Sequence, residues 1–284
     1  MSMSTIFREC VGWGLYHWAS LFWSKPIVSS IYFHNPSPKV FEKVLQWYSK
    51  NQYRFVSLEE LKSIIKDGLQ AKERVAFISF DDGWRSNIQL LPLCEKYNVP
   101  ITVFVAVNPV ITGNFWWEYV DEKSGRAVTA VFKSFQEDTF YSELIKQKEG
   151  ISLERSAMTE AELKRFANHP LVTIQSHTMN HPILTNLSPA TLYKELRESK
   201  KCLEEWMGYS IDVFSYPNGN VGSREIEALK ANGYNYAFTT SPTNFDINNI
   251  NAYLLPRMAM NTTGGKYENL SKIMGVWQKV IVKS

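Results

Sequence analysis

A parallel β/α fold is what this 284-residue sequence predicts, and three observations carry the prediction. Short runs rich in β-branched and aromatic residues recur along the chain. Stretches with apolar residues at helical spacing separate them. Polar, chemistry-bearing clusters follow directly on three of the runs instead of scattering through the loops. The length suits one large domain or two small ones, and α/β barrels use about this length as a single domain. A composition of 44% hydrophobic and 21% charged residues supports a real core.

The first 25 residues stand apart as an aromatic N-terminal arm. Its run CVGWGLYHWASLFW (residues 10–23) falls short of the about 20 apolar residues that span a bilayer. It fits either a helix packed on the domain or an amphipathic, Trp-rich arm in peripheral contact with a membrane surface. The main domain covers residues 26–284. PIVSSIYFH (26–34) reads as its first strand. Ser37-Pro38 then supplies an N-cap and first-turn proline for a helix with apolar positions Val40, Val44, Leu45, Trp47 and Tyr48. Ser57, Glu60 and Gly68 supply a capping box and a stop for a second helix over 57–68. A strand at 74–80, a helix at 87–98 and a strand at 100–107 follow. Residues 110–165 read as an irregular insert, opened by TGNFWWEYV and closed by a helix over 158–169. The alternation resumes with strand 171–177, helix 188–208, strand 211–217, helix 223–233 and strand 234–241. A last strand within 252–260 and a final helix over 268–281 bring the total to about seven strands.

The net charge of +3, with no dense Lys/Arg cluster interleaved with aromatics, gives no reason to propose nucleic acid as a partner. Cys10, Cys94 and Cys202 are odd in number, far apart and without a CxxC pair, which argues against a disulfide scaffold. With no basic, apolar and small-residue leader pattern at the start, the expected location is the cytoplasm, membrane-peripheral if the arm lies on a bilayer. Aromatic content of 14% fits stacked sugars or an aromatic-rich core equally.

The polar clusters fall at predicted strand ends. Asp81 and Asp82 follow VAFISF, His177 and His181 follow LVTIQ within SHTMNHP, and SYPNGN follows IDVF. In a β/α barrel the C-terminal strand ends open on one face, so these clusters converge there. On one helical turn, the four-residue spacing of the histidines puts both imidazoles on one side. Two imidazoles and one aspartate leave positions open for water and substrate, which suits a catalytic divalent metal: zinc first, with cobalt, nickel or iron as alternatives. The other aspartate stays off the metal and acts as a base. A nearby cation also offsets the repulsion between two adjacent carboxylates. Taken singly, each cluster has a plain reading: two structural histidines, and a common Asp-Asp-Gly turn.

SFDDG (79–83), SHTMNHP (176–182) and SYPNG (215–219) together resemble the first three motifs of the polysaccharide deacetylases of the NodB-homology group, carbohydrate esterase family 4. The resemblance covers about residues 26–260. It implies a distorted, incomplete (β/α)7 barrel and metal-dependent removal of acetyl groups from N-acetylated sugars. It also implies that Asp81 is the general base and that Asp82, His177 and His181 are the metal ligands. The backbone N–H of Asn218 would help hold the oxyanion, Gly219 would keep that loop tight, and Tyr216 and Pro217 would lie against substrate.

Two departures matter. Ser215 stands where the family often carries an arginine that pairs with the base. Leu255-Pro256-Arg257 stands where it often carries Leu-x-His, whose histidine protonates the leaving amine. Arginine stays charged and is a poor proton donor. Arg257 is therefore expected to reach Asp81 from another strand and replace the missing partner. The general acid is then unassigned: His34 is a candidate that can equally be a structural residue of a Tyr-Phe-His-Asn turn, and a metal-bound water could also serve. Trp116 and Trp117 form either a sugar-stacking wall or the core of the insert, and Glu118 either binds a sugar hydroxyl or faces water. The expected function is N-deacetylation of an oligo- or polysaccharide or a glycolipid precursor. The alternative is a carbohydrate-binding pseudoenzyme that has lost its acid, and a third reading is another use of the same ligand set, an oxygenase or a different amidohydrolase reaction.

Overall fold

The computed structural model describes residues 3–22, 26–69, 73–243 and 245–281. Its strands are β1 (Val28–Phe33), β2 (Arg54–Phe55), β3 (Val75–Asp82), β4 (Ile101–Val105), β5 (Val172–Ser176), β6 (Val213–Ser215), β7 (Tyr236–Phe238) and β8 (Met258–Ala259). They pair in parallel in the order β7-β6-β5-β4-β3-β1-β8, with β2 on the early part of β3. The seam between β7 and β1 is spanned only by the short segment around β8. Leu255 exchanges backbone bonds with Ala237 and Thr239 (2.9 and 2.8 Å), and Met260 N donates to Tyr32 O at 2.9 Å. The result is a curled, incomplete α/β barrel.

Burial at every position of β1 and β3 is what a parallel sheet covered on both faces requires. The two-residue period then sorts side chains. Along β3, Ala76, Ile78 and Phe80 join the layer under the helices with Ile31, Phe33, Phe41 and Leu45. Val75 and Phe77 join the inner cluster with Phe104, Val213 and Phe238. Asp81 continues that inner row, so the period of the strand points its carboxylate into the barrel.

Helices Pro38–Lys50 and Leu58–Asp67 begin on Ser37 and on the Ser57/Glu60 capping box, and the second stops at Gly68 with φ +82°. Elsewhere the sequence expectation needs correction. The expected helix over 87–98 is a 3₁₀ turn, Arg85–Leu90, followed by the α-helix Leu91–Tyr97. Pro92 lacks the N–H that a continuous helix would need there and is tolerated only in the first turn of the second piece. The insert is not irregular: it forms helices Val107–Thr112, Trp116–Ser124, Arg126–Phe132 and Glu137–Lys148. Trp116, Val120, Phe132, Phe140 and Leu144 make a separate small core for it. The last helix breaks at Gly275, φ +69°, into Lys266–Ile273 and Val276–Ile281.

The arm is a helix, Met3–Ser20, seated across the start of Lys266–Ile273. Residues 1–2 and 23–25 of the arm, Trp23 included, lie outside the described residues. Gly12 makes the seat possible, because a Cβ there would come within 2.5 Å of Glu268 N. The Glu9 carboxylate accepts from the amides of Tyr267 and Glu268 at 3.0 and 3.1 Å, capping that helix from another part of the chain. Ala19 is buried in the main core. Gly12→Val is expected to destabilise the chain by about 1–3 kcal/mol through overpacking and to open the arm to limited proteolysis. An unchanged Tm and digestion pattern would show that the seat is not built on this contact.

Candidate metal and catalytic site

Three segments meet where β3, β5 and β6 end. Asp82 Oδ1 lies 3.4 Å from His181 Nε2 and 3.6 Å from His177 Nε2, and all three residues are buried. The histidine pair is not on a helical turn, contrary to the reading of its spacing. It sits in a loop after β5 in which Thr178 and His181 have φ of +73° and +57°, and Thr178 Oγ1 accepts from His181 N at 2.8 Å. That tight turn brings the two rings to 4.7 Å. Six non-glycine residues have positive φ among those described, and four of them are Asp82, Thr178, His181 and Asn218. Such backbone costs about 1–3 kcal/mol per residue and persists where the surroundings force it, so its concentration here marks a functional site.

The three side chains fit a cation. His177 Nδ1 lies 2.7 Å from Ser215 O; a carbonyl only accepts, so Nδ1 carries the proton and Nε2 keeps its lone pair. Trp84 Nε1 donates to Asp82 Oδ2 at 2.8 Å, leaving Oδ1 buried with no hydrogen-bond partner between the two imidazoles. An orphaned carboxylate oxygen beside ring nitrogens is costly unless something positive completes it. Burial lowers the pKa of both histidines, most strongly for His181, where the neighbouring His177 adds to the effect. Both rings are therefore neutral, as ligands must be. Two nitrogens and an oxygen with the remaining positions open match a catalytic rather than a structural site.

Asp81 is held differently. The fully buried Arg257 grips it with both forks, Nη1 to Oδ1 at 2.7 Å and Nη2 to Oδ2 at 2.9 Å. The guanidinium also donates to Ser79 Oγ, Ser215 Oγ and Thr239 O at 3.0, 2.6 and 3.3 Å, and lies 4.4 Å from the ring of Tyr32. The arginine thus reaches Asp81 from beside β8, and the small Ser215 turns its hydroxyl to it. Burial alone would raise the Asp81 pKa, but the Arg257 charge and then His177 outweigh it and hold the carboxyl below its ordinary value.

A cavity of about 280 Å³ opens over the triad, bounded by His34, Asp82, Trp84, Trp117, Lys133 and His181. Trp117 stands edge-on to His181 at 4.7 Å and stacks on Phe115, so it does form part of the wall. Trp116 does not: its ring lies in the insert's core, and its Nε1 donates to His181 O at 3.0 Å, bracing the ligand from behind. Tyr216 is also turned away, fully buried against Phe214 and Tyr234, because the alternation along β6 directs it to the outer core. Pro217 is buried under the following bend. Asn218 is exposed at that bend with φ +58°, its Oδ1 3.2 Å from Lys133 Nζ. Gly219, φ +75°, is required there, since a Cβ would lie 2.1 Å from Thr240 Oγ1. Glu118 is half-buried, and its Oε2 accepts from Phe115 N at 2.8 Å and Ser156 Oγ at 2.5 Å.

Sequence reasoning missed Trp84, Lys133 and Glu195. Glu195, on helix Pro189–Met207, is buried and accepts from the amides of Met179 and Asn180, both at 2.9 Å, and from Asn180 Nδ2 at 2.6 Å. It thereby fixes the loop between the two histidines. Its signal was a carboxylate inside the apolar stripe Leu192, Leu196, Leu203. Glu195→Ala is expected to weaken cation binding about 10–100-fold with the fold retained, as measured by metal titration and circular dichroism. Unaltered affinity would remove Glu195 from the site.

Comparison with known proteins gives a consistent answer. A family model described as polysaccharide deacetylase matches residues 68–237. YxkH of Bacillus subtilis, named as a polysaccharide deacetylase, is 23% identical over 205 residues, covering 72% of this chain and 58% of that protein. The poly-beta-1,6-N-acetyl-D-glucosamine N-deacetylase of Staphylococcus epidermidis is 23% identical over 203 residues, covering 70% of this chain and 59% of the other. The chain thus matches less than three-fifths of the length of these curated relatives. Among solved structures, IcaB from Ammonifex degensii aligns with a TM-score of 0.64 at 18% identity, over 90% of this chain and 98% of its own. The Streptococcus pyogenes deacetylase PplD in complex with acetate aligns at 0.63 and 18%, over 89% and 99%. These structures share the fold described above.

Proposed function

Because the chain belongs to the polysaccharide deacetylase family, we propose that it removes N-acetyl groups from an N-acetylated sugar in a glycan or glycolipid, using a divalent cation, zinc first, on Asp82, His177 and His181. The observation that carries this reading is the buried, unpartnered Asp82 Oδ1 between two imidazoles, one residue from a carboxylate clamped by arginine. The name of the staphylococcal relative, a poly-N-acetylglucosamine N-deacetylase, supports the substrate class.

The cation's part is to polarise the acetyl carbonyl and make water acidic enough to ionise near neutral pH. Asp81, kept ionised and oriented by Arg257, takes the proton from the attacking water. Arg257 itself is committed through both forks and cannot donate a proton, so it is a positioning residue. The Asn218 amide, at the bend after β6, serves the oxyanion. His34, in the cavity wall, gives its proton to the leaving amine as the C–N bond breaks and acetate forms. Trp117 offers a ring face to the sugar.

Purified without chelator, the chain is expected to carry about one zinc-like ion, and His181→Ala to lose it, by elemental analysis. Acetate release from N-acetylglucosamine oligomers should stop with a chelator and return with zinc. Absence of both bound ion and acetate release would favour the carbohydrate-binding reading. Arg257→Met should lower kcat by about 100-fold or more, with KM and metal content little changed, because it disables the base without touching the ligands. A full-rate variant would show that the pair is structural only.

A further inference from the structure

The arm has two sides, and the domain uses only one of them. Glu9, Gly12 and Ala19 face inward. On the other side Ile6, Phe7, Trp13, Trp18, Leu21 and Phe22 are 51–78% exposed. Among the described residues, every strongly exposed phenylalanine and tryptophan lies on this one segment. Isolated apolar side chains on a surface need no explanation, but six large ones gathered within residues 6–22 as an aromatic-rich ridge do.

Charge limits what can cover the ridge. The arm's only carboxylate, Glu9, is turned inward onto two backbone amides. The arm and the two C-terminal helices next to it carry Arg8, Lys266, Lys272 and Lys279. Against them stand only Glu9 and Glu268, and Glu268 is buried and paired with Arg8 and Lys272. Beside the arm, a cavity of about 480 Å³ is lined by Arg8, Lys272, Trp277 and Thr240, room for an anionic headgroup next to two cations. A second copy packed ridge to ridge by a two-fold axis would set the same cations against each other. An anionic lipid surface would meet them with opposite charge, and Trp and Phe with flanking cations are the composition of interfacial helices. No helix among the described residues is long and apolar enough to cross a membrane.

We propose that the outer face of Met3–Ser20, with Leu21 and Phe22, lies in the interfacial layer of an anionic bilayer. The aromatic rings sit at headgroup depth, and the exposed Lys266 and Lys279, with the half-exposed Arg8, meet lipid phosphates. The docking also bears on the catalytic cavity. The helix that the arm caps follows directly on the loop 260–265 after β8, and Thr262 of that loop stands in the cavity wall. A bilayer bound by the arm therefore lies one loop from the mouth. The proposal stands independently of the deacetylase reading.

The test uses the full chain with vesicles of phosphatidylglycerol and phosphatidylcholine in equal parts, and with vesicles of phosphatidylcholine alone. The chain should co-sediment with the first, with a blue shift in tryptophan emission, and far less with the second. Phe7→Ser/Trp13→Ser/Trp18→Ser should lower that partition at least about tenfold. Lys266→Glu/Lys279→Glu should abolish the preference for anionic vesicles. Both variants should keep the parent Tm, which excludes a folding defect, and the rate of acetate release from soluble oligomers reports separately on the catalytic site. No binding to either vesicle, undiminished binding of the triple variant, or a dimer in solution that the triple variant dissociates would overturn the proposal; the last result would assign the ridge to a second copy.

Discussion

The site is organised around one buried ion pair. Asp81 ends the inner row of β3, where a carboxylate leaves water entirely, and desolvation would neutralise it unless a counter-charge sat within contact. Arg257 supplies that charge bidentately, and its remaining donors are satisfied by two serines and a carbonyl, so neither ion is left with unmet hydrogen bonds. The aromatic rings of Tyr32, Phe104 and Phe238 surround the guanidinium. The same contacts join β3 to the ends of β6 and β7 and to the approach to β8, where the barrel has least backbone pairing. The pair clasps the seam as well as fixing the Asp81 carboxylate.

Around it, the candidate ligands are braced from other elements as well as by their own loops. Trp84 fixes the face of Asp82, the Ser215 carbonyl fixes the tautomer of His177, Trp116 holds the backbone of His181, and Glu195 ties the peptide groups between the histidines. Left-handed backbone at Asp82, Thr178 and His181 is stable only because these supports come from four separate elements. The helical insert, which looks remote in sequence, is in this sense part of the candidate metal site.

Much of this was legible before any coordinates. Strand and helix alternation, the caps at Ser37 and Ser57, and the placing of Asp81, Asp82, His177 and His181 at strand ends follow from period and capping chemistry, and the reach of Arg257 to Asp81 from the departures from the resembled family's motifs. What was not legible depended on direction. The histidine spacing suggested a helical turn, and nothing in Thr178 announces a positive φ. Tyr216 is placed against substrate only by the resemblance, and strand register turns it away; of the two readings of Trp116, wall or insert core, the structure takes the second. The insert hid its helices because they are short and bury their apolar faces against one another. Glu195 was passed over because a long charged helix normally faces water.

The capping of residues 267 and 268 by Glu9 closes a contact across 258 positions of sequence. A ribosome releases the arm long before it releases its seat. Until residues past 265 have emerged, the Gly12 face of the arm has no seat on the chain, so a helix made before the barrel docks only after the barrel's last strand. During that interval both sides of the arm are apolar surface open to chaperones.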